Sequence, residues 1–231
     1  MSAEAVLILV AAALYLADCI VLLERGQAIW ARGALAFGSV HYQVAGKVVA
    51  LLNPLTPFVP VSRTLPLFSA GFGMDPAGMS RVLSPLRSLA GLQLVLVFAA
   101  LPWCLLRAPG ATFATLLIAY LNAVLMLVLL AWRFGRAGLP RRPLLALGFG
   151  WLACLPLSVN CLRKAGLSFE IAMDAREALR DLPAQARALA AADLAAQVGE
   201  AAQELDEGDA RQRDLATLKR QLDAEAASGR A

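Results

Sequence analysis

The run TLLIAYLNAVLMLVLL, Thr115 to Leu130, contains no glycine, proline or charged residue. An α-helix rises about 1.5 Å per residue, so about 20 apolar residues cross the roughly 30 Å hydrocarbon core of a bilayer. With its apolar flanks, from Ala111 to Trp132, this stretch predicts a spanning helix. Upstream, Leu86 to Leu106 is a second such run, with Ser84 and Pro85 placed as N-cap and first helical residue. Only Arg107-Ala108-Pro109-Gly110 separates the two runs, which predicts a tight hairpin and antiparallel neighbours. Ala5 to Leu23 and Leu144 to Val159 complete a set of four predicted spans, with Pro102 and Pro156 expected to bend the second and fourth.

Composition agrees with a lipid solvent. Of the 231 residues, 59% are hydrophobic and 16% charged, with a mean hydropathy of +0.65, which excludes disordered, collagen-like and ordinary water-soluble classes. The net charge of +4 is uneven: residues 1–165 carry 13 Lys/Arg against 4 Asp/Glu, and residues 166–231 carry 8 against 13. The basic residues fall in short connections, where they set orientation and meet anionic head groups rather than nucleic acid. Arg25, Arg32, Lys47, Arg63, Arg81 and Arg87 follow the first span, and Arg133, Arg136, Arg141 and Arg142 follow the third. The N-terminus is therefore expected outside and both basic loops in the cytoplasm, with the tail outside if all four runs cross. Asp18 next to Cys19, and the lack of Lys or Arg before Val10, argue against a cleaved signal or lipoprotein box.

The expected class is thus an all-α membrane protein of about four transmembrane helices, with a small β-rich loop element and a helical tail. It divides into a first helix (1–24), a cytoplasmic loop (25–84), helices two to four (85–165) and an acidic tail (166–231). In the loop, runs at 27–31, 34–37, 40–44 and 47–52, set apart by Gly33, Gly38 and Gly46, predict a β-meander. Residues 65–78, apolar but broken by Gly and Pro, are expected to lie at or shallowly inside the membrane surface. The tail predicts two helices with narrow apolar stripes, whose interaction face of Leu194, Val198, Leu205, Leu215, Leu218 and Leu222 fits either a helical hairpin or a coiled-coil contact with another chain.

Asp18 is the one carboxylate well inside a predicted span, and a mid-helix Asp costs about 2.5 to 3.5 kcal/mol to insert. It should face the bundle. Depth counting places Gln93 and Asn122 near its level, predicting an intramembrane polar cluster of Asp18, Gln93 and Asn122 that acts as interhelical glue or, alternatively, as a relay. His41, the sole histidine, is expected in a loop patch with Tyr42, Gln43 and Lys47. Zinc motifs needing two histidines and His-assisted nucleophile triads have too few partners, and Gly46-Lys47 lacks the spacing and hydroxyl of a phosphate loop. No pattern for a metal or cofactor is found, and Cys19, Cys104, Cys154 and Cys161 have no CxxC spacing.

These features predict a non-enzymatic assembly or anchoring subunit that sits in a bilayer and binds a protein partner or further copies of itself through loop and tail. Ala, Leu and Arg richness points to a bacterial inner membrane. A small transporter or channel subunit centred on Asp18 is the alternative, and a membrane-embedded enzyme the third reading.

Overall fold

The computed structural model describes residues 2–23, 28–31, 34–35, 40–44, 47–65, 76–172, 179, 184–203 and 210–228. The chain is mostly helical with short strands. Helix α1 (Ala3–Asp18) is capped by the Ser2 hydroxyl, which accepts from the Ala5 N–H at 3.3 Å. The second apolar run is helical from α2 (Pro76–Leu83) through a 3₁₀ turn (Ser84–Leu86), α3 (Arg87–Val95), a π turn (Leu96–Ala100) and α4 (Leu101–Arg107). Ser84 does not start this helix as the sequence predicts: its hydroxyl faces that of Ser80, one turn earlier in a helix already formed. The π turn ends just before Pro102, whose ring cannot accept a regular turn on its N-terminal side.

Helix α5 (Thr112–Arg136) returns antiparallel to α4 across the expected hairpin, with Cys104 Sγ 3.3 Å from Thr115 Oγ1. Ala119 and Ala123, one turn apart on α5, are buried and bring the helices close. The helical stretches 77–107 and 109–136 are each long and apolar enough to cross a membrane. Only 22% and 28% of their most apolar windows is buried within the chain, unlike the core helix of a water-soluble protein.

After α5, Gly138 takes the left-handed conformation (φ +72°) and closes the turn, with the Leu139 N–H bonded back to the Phe134 carbonyl at 2.9 Å. The fourth apolar run then departs from the continuous span expected over Leu144 to Val159. It is broken into α6 (Arg142–Ala153), α7 (Leu155–Ser158) and α8 (Cys161–Leu167), with Cys154 extended between the first two. Along α6, Leu144 joins the cluster of Leu130 and Phe134, and Gly148 sits against Leu127. Past the break, Leu155 packs in the cluster containing Ala119, Cys161 Sγ lies 3.4 Å from Met126 Sδ, and the Phe169 and Phe134 rings are 5.3 Å apart. The partners on α5 therefore run toward its N-terminus and back again. The segment is a hairpin whose two ends lie at the C-terminal end of α5 and whose tip is Cys154-Leu155-Pro156. Pro156 supplies no N–H to the carbonyl one turn back and disfavours helical backbone just before it, and here the helix breaks at Cys154, with Pro156 in the first turn of α7.

The predicted strands are present but do not form one meander. Strands β1 (Ile20–Leu23), β5 (Lys47–Leu51) and β4 (Val40–Val44) make one sheet, in that order. The other, in order, is β3 (Ala34–Leu35), β2 (Ala28–Ala31), β6 (Ser62–Leu65) and β7 (Glu170–Ala172). The helical part of the predicted first span thus ends at Asp18, because Ile20–Leu23, with buried Val21 and Leu23, pairs with β5. Strand β7 runs parallel to β6, so the segment following the hairpin is hydrogen-bonded to the long loop. In the tail, α9 (Ala184–Gln203) and α10 (Ala210–Ser228) form an antiparallel pair with their own core, joined at one end by Arg187–Glu225 at 3.5 Å. Residues 66–75, most of the predicted surface segment, lie outside the described residues.

Candidate functional site

Among the described residues, most of the buried polar side chains converge on the return limb α7–α8, of which sequence reading places only the part up to Val159 in a span. Gln93 on α3 is fully buried; its Nε2 donates to Ser158 Oγ at 2.7 Å, and its Oε1 accepts from Asn122 Nδ2 at 2.7 Å. Asn122 Nδ2 also reaches the Leu89 carbonyl at 3.1 Å, and Ser158 Oγ donates to the Leu155 carbonyl at 2.6 Å. These donors and acceptors are matched within the chain, which offsets the cost of burying them.

Of the predicted cluster, Gln93 and Asn122 meet, while Asp18 finds other partners. Its carboxylate accepts from Asn160 Nδ2 at 3.1 Å and pairs with Lys164 Nζ at 3.0 Å. The physical reason is the return limb, which lies against both α1 and α3 and supplies a partner to each side: Ser158 to Gln93, and Asn160, two residues on, to Asp18. Depth counting on straight spans has no place for an intervening limb. The overlooked signal is Pro156 with Ser158 inside the predicted span and Asn160, Arg163 and Lys164 directly after it, polar residues close enough together to form one partner-bearing limb.

Arg163 is 2% exposed. Its Nη2 donates to the carbonyls of Asn53 and Thr56 and, at 3.1 Å, to Thr56 Oγ1; its Nη1 reaches Asn160 Oδ1 at 3.4 Å. The turn it grips is also held by α1, because the Tyr15 hydroxyl donates to the Pro54 carbonyl at 2.6 Å. Within the turn, Asn53 Oδ1 accepts from the Leu55 N–H at 2.9 Å. A second close approach lies one turn along α8: a Cβ at Gly166 would stand 1.9 Å from the Val61 carbonyl oxygen. The guanidinium and the missing side chain together dock α8 on residues 53–61.

The remaining predicted residues are placed as follows. His41, Tyr42 and Gln43 lie in β4 opposite Ala50, Val49 and Val48, and Lys47 of β5 lies opposite Val44; their side chains are outside the described part. Leu194, Val198, Leu215 and Leu222 are buried against one another between α9 and α10, with Leu218 packed beside them. These stripes face each other, which is the hairpin of the two arrangements the sequence allows; Leu205 lies outside the described residues. All four cysteines are free thiols, and Cys161 packs on Met126, far along α5 from the Cys104–Thr115 contact. Among the described residues no group of three His, Cys, Asp or Glu is placed to hold a metal ion. No family model, curated protein or solved structure matches this chain.

Proposed function

We propose that this chain is a multi-pass protein of a bacterial inner membrane that serves as an assembly or anchoring subunit, joining a protein partner or further copies of itself. The observation that carries this reading is the self-contained polar interior: Gln93, Asn122 and Ser158 satisfy one another, and Asp18 is neutralised by Lys164. Such groups fix how helices pack, which is the role of interhelical glue. The module built on them, two sheets and a helical hairpin, is what meets partners.

In this reading α1, the helix from α2 to α4, and α5 cross the bilayer, and α6–α8 enter and return without crossing. Supporting it, the parallel pairing of β6 with β7 ties the long loop to the segment after α8, so both lie on one side. That side is the cytoplasm by the count of basic residues, and the tail lies there too, in place of the outside location that a fourth crossing implies.

Two measurements test these statements. With Ser228→Cys, a membrane-impermeant maleimide added outside intact cells is expected to leave the new thiol unlabelled, and added to inverted vesicles to label it fully. Labelling from outside sinks the three-crossing arrangement. For assembly, light scattering of the detergent-purified chain is expected to give a protein mass above the 24.4 kDa of one copy, or a stoichiometric partner, and deletion of residues 184–231 is expected to abolish the excess. A lone monomer, unaltered by the deletion, rules out the assembly role.

A further inference from the structure

Resting on the membrane reading above, we propose that the chain carries a binding site for one anionic phospholipid, in a cleft between α2 and the C-terminal end of α5. The cleft has a volume of about 420 Å³ and is lined by Arg81 from α2 and by Trp132, Arg133 and Arg136 from α5, with Gly78 and Val82 behind them. Arg133 and Arg136 are three residues apart and share a helical face, so Arg81, more than fifty residues away in sequence, completes a ring of three guanidiniums around one hollow. Arg136 stacks over the Trp132 ring, 4.8 Å from its centroid, which holds one of the three in place. Among the described residues no carboxylate lines this cleft. With no counter-charge among the described lining residues, the three cations repel one another, and a phosphate relieves that repulsion while accepting several N–H donors at once.

What selects a lipid over a free phosphate is the surface that leads into the cleft. Leu121, Leu125, Val128 and Trp132 recur at helical spacing along one face of α5, and all are exposed. This apolar stripe ends at the arginines. A cation cluster capping an apolar stripe matches an amphiphile: the phosphate sits among the guanidiniums, the acyl chains lie along the stripe, and the Trp132 ring, 51% exposed, marks the interface between them. Because the arginines stand at the loop-facing end of α5, the lipid belongs to the cytoplasmic leaflet.

The test uses the full chain in vesicles of phosphatidylcholine and phosphatidylglycerol, extracted in mild detergent and examined by native mass spectrometry for retained lipid. Wild-type protein is expected to retain one phosphatidylglycerol at least tenfold over phosphatidylcholine. The triple variant Arg81→Gln/Arg133→Gln/Arg136→Gln is expected to lose that preference, and Arg81→Gln alone to lower it about fivefold, the factor for one basic group near an anionic surface. Equal retention of the two lipids, or a preference untouched in Arg81→Gln, overturns the site. If excess inorganic phosphate displaces the lipid or binds as tightly, the hollow is a plain anion site and the lipid assignment is wrong. A carbonate wash of the same vesicles separates this from the parent reading: release of the protein refutes membrane insertion, while retention with no lipid preference refutes only the cleft.

Discussion

Arg163→Met is expected to destabilise the chain by about 3 kcal/mol, although methionine is apolar and nearly as long. The guanidinium is the donor to the Asn53 and Thr56 carbonyls and to the Thr56 hydroxyl, and it is 2% exposed. Losing it leaves acceptors without their main donor at about 1 to 3 kcal/mol for each buried group. Two terms act in the opposite direction: a desolvated charge disappears, and the Asn53 and Thr56 carbonyls keep the Thr56 and Val59 N–H groups, at 3.2 Å each. The sum stays near the lower half of the range for a buried charged partner. Arg163→Lys should recover part of the loss, since an ammonium can donate to one or two of these acceptors but not span them all. The readout is intrinsic to the chain, because Cys19 and Cys161 are both fully buried on either side of this docking contact. With stability lowered by about 3 kcal/mol, thiol labelling in mild detergent should accelerate roughly a hundredfold, provided that opening limits reaction. A labelling rate equal to wild type would mean that the Arg163 clasp contributes nothing.

Gly166→Ala adds a single methyl and is expected to cost a similar or larger amount, about 3 kcal/mol or more. The new Cβ would lie 1.9 Å from the Val61 carbonyl oxygen, 3.0 Å from its carbon and 3.2 Å from Leu83 Cδ1. Leucine can rotate away. The peptide of Val61 cannot, because the strand that follows it is bonded on one edge to β2 and on the other to β7. Overpacking a core of this density typically costs 1 to 3 kcal/mol even where side chains can yield, and here the obstacle is backbone. Gly91→Ala is the control. Nothing lies within 4 Å of its added Cβ, so the only expected change is a gain of up to about 1 kcal/mol in helix propensity. Melting followed by thiol exposure should therefore move in opposite directions for two chemically identical substitutions. If both variants melt alike, α8 does not dock on Val61 as described.

Helix α5 was legible because a helix surrounded by apolar surface needs only a local property, an uninterrupted run from Thr115 to Leu130. The tail stripes were legible for a similar reason; the sequence allows a hairpin or a contact with another chain, and the fold chooses the hairpin, in which Leu194 and Leu222 share one core. Strand Ile20–Leu23 was misread because four consecutive apolar residues satisfy a span and a buried strand equally well; pairing with Val48 to Leu51 decides between them, and that pairing is non-local. Two of the three residues of the predicted polar cluster meet, Gln93 and Asn122, because both lie on regular helices whose depth can be counted. Ser158, Asn160, Arg163 and Lys164 were missed because counting depth presupposes a direction of travel, and the chain reverses at Pro156.

By itself, the order of apolar and polar residues determined where long apolar helices form and where they must turn. Each of these follows from the free energy of moving a short window between water and hydrocarbon. Tertiary structure alone decided that the last apolar run doubles back, that β7 lies beside β6, and that Arg81 stands with Arg133 and Arg136. A hairpin and a span of equal composition have the same transfer energy, and only the contacts made with the rest of the chain, at Val61, Asn53, Gln93 and Asp18, distinguish them.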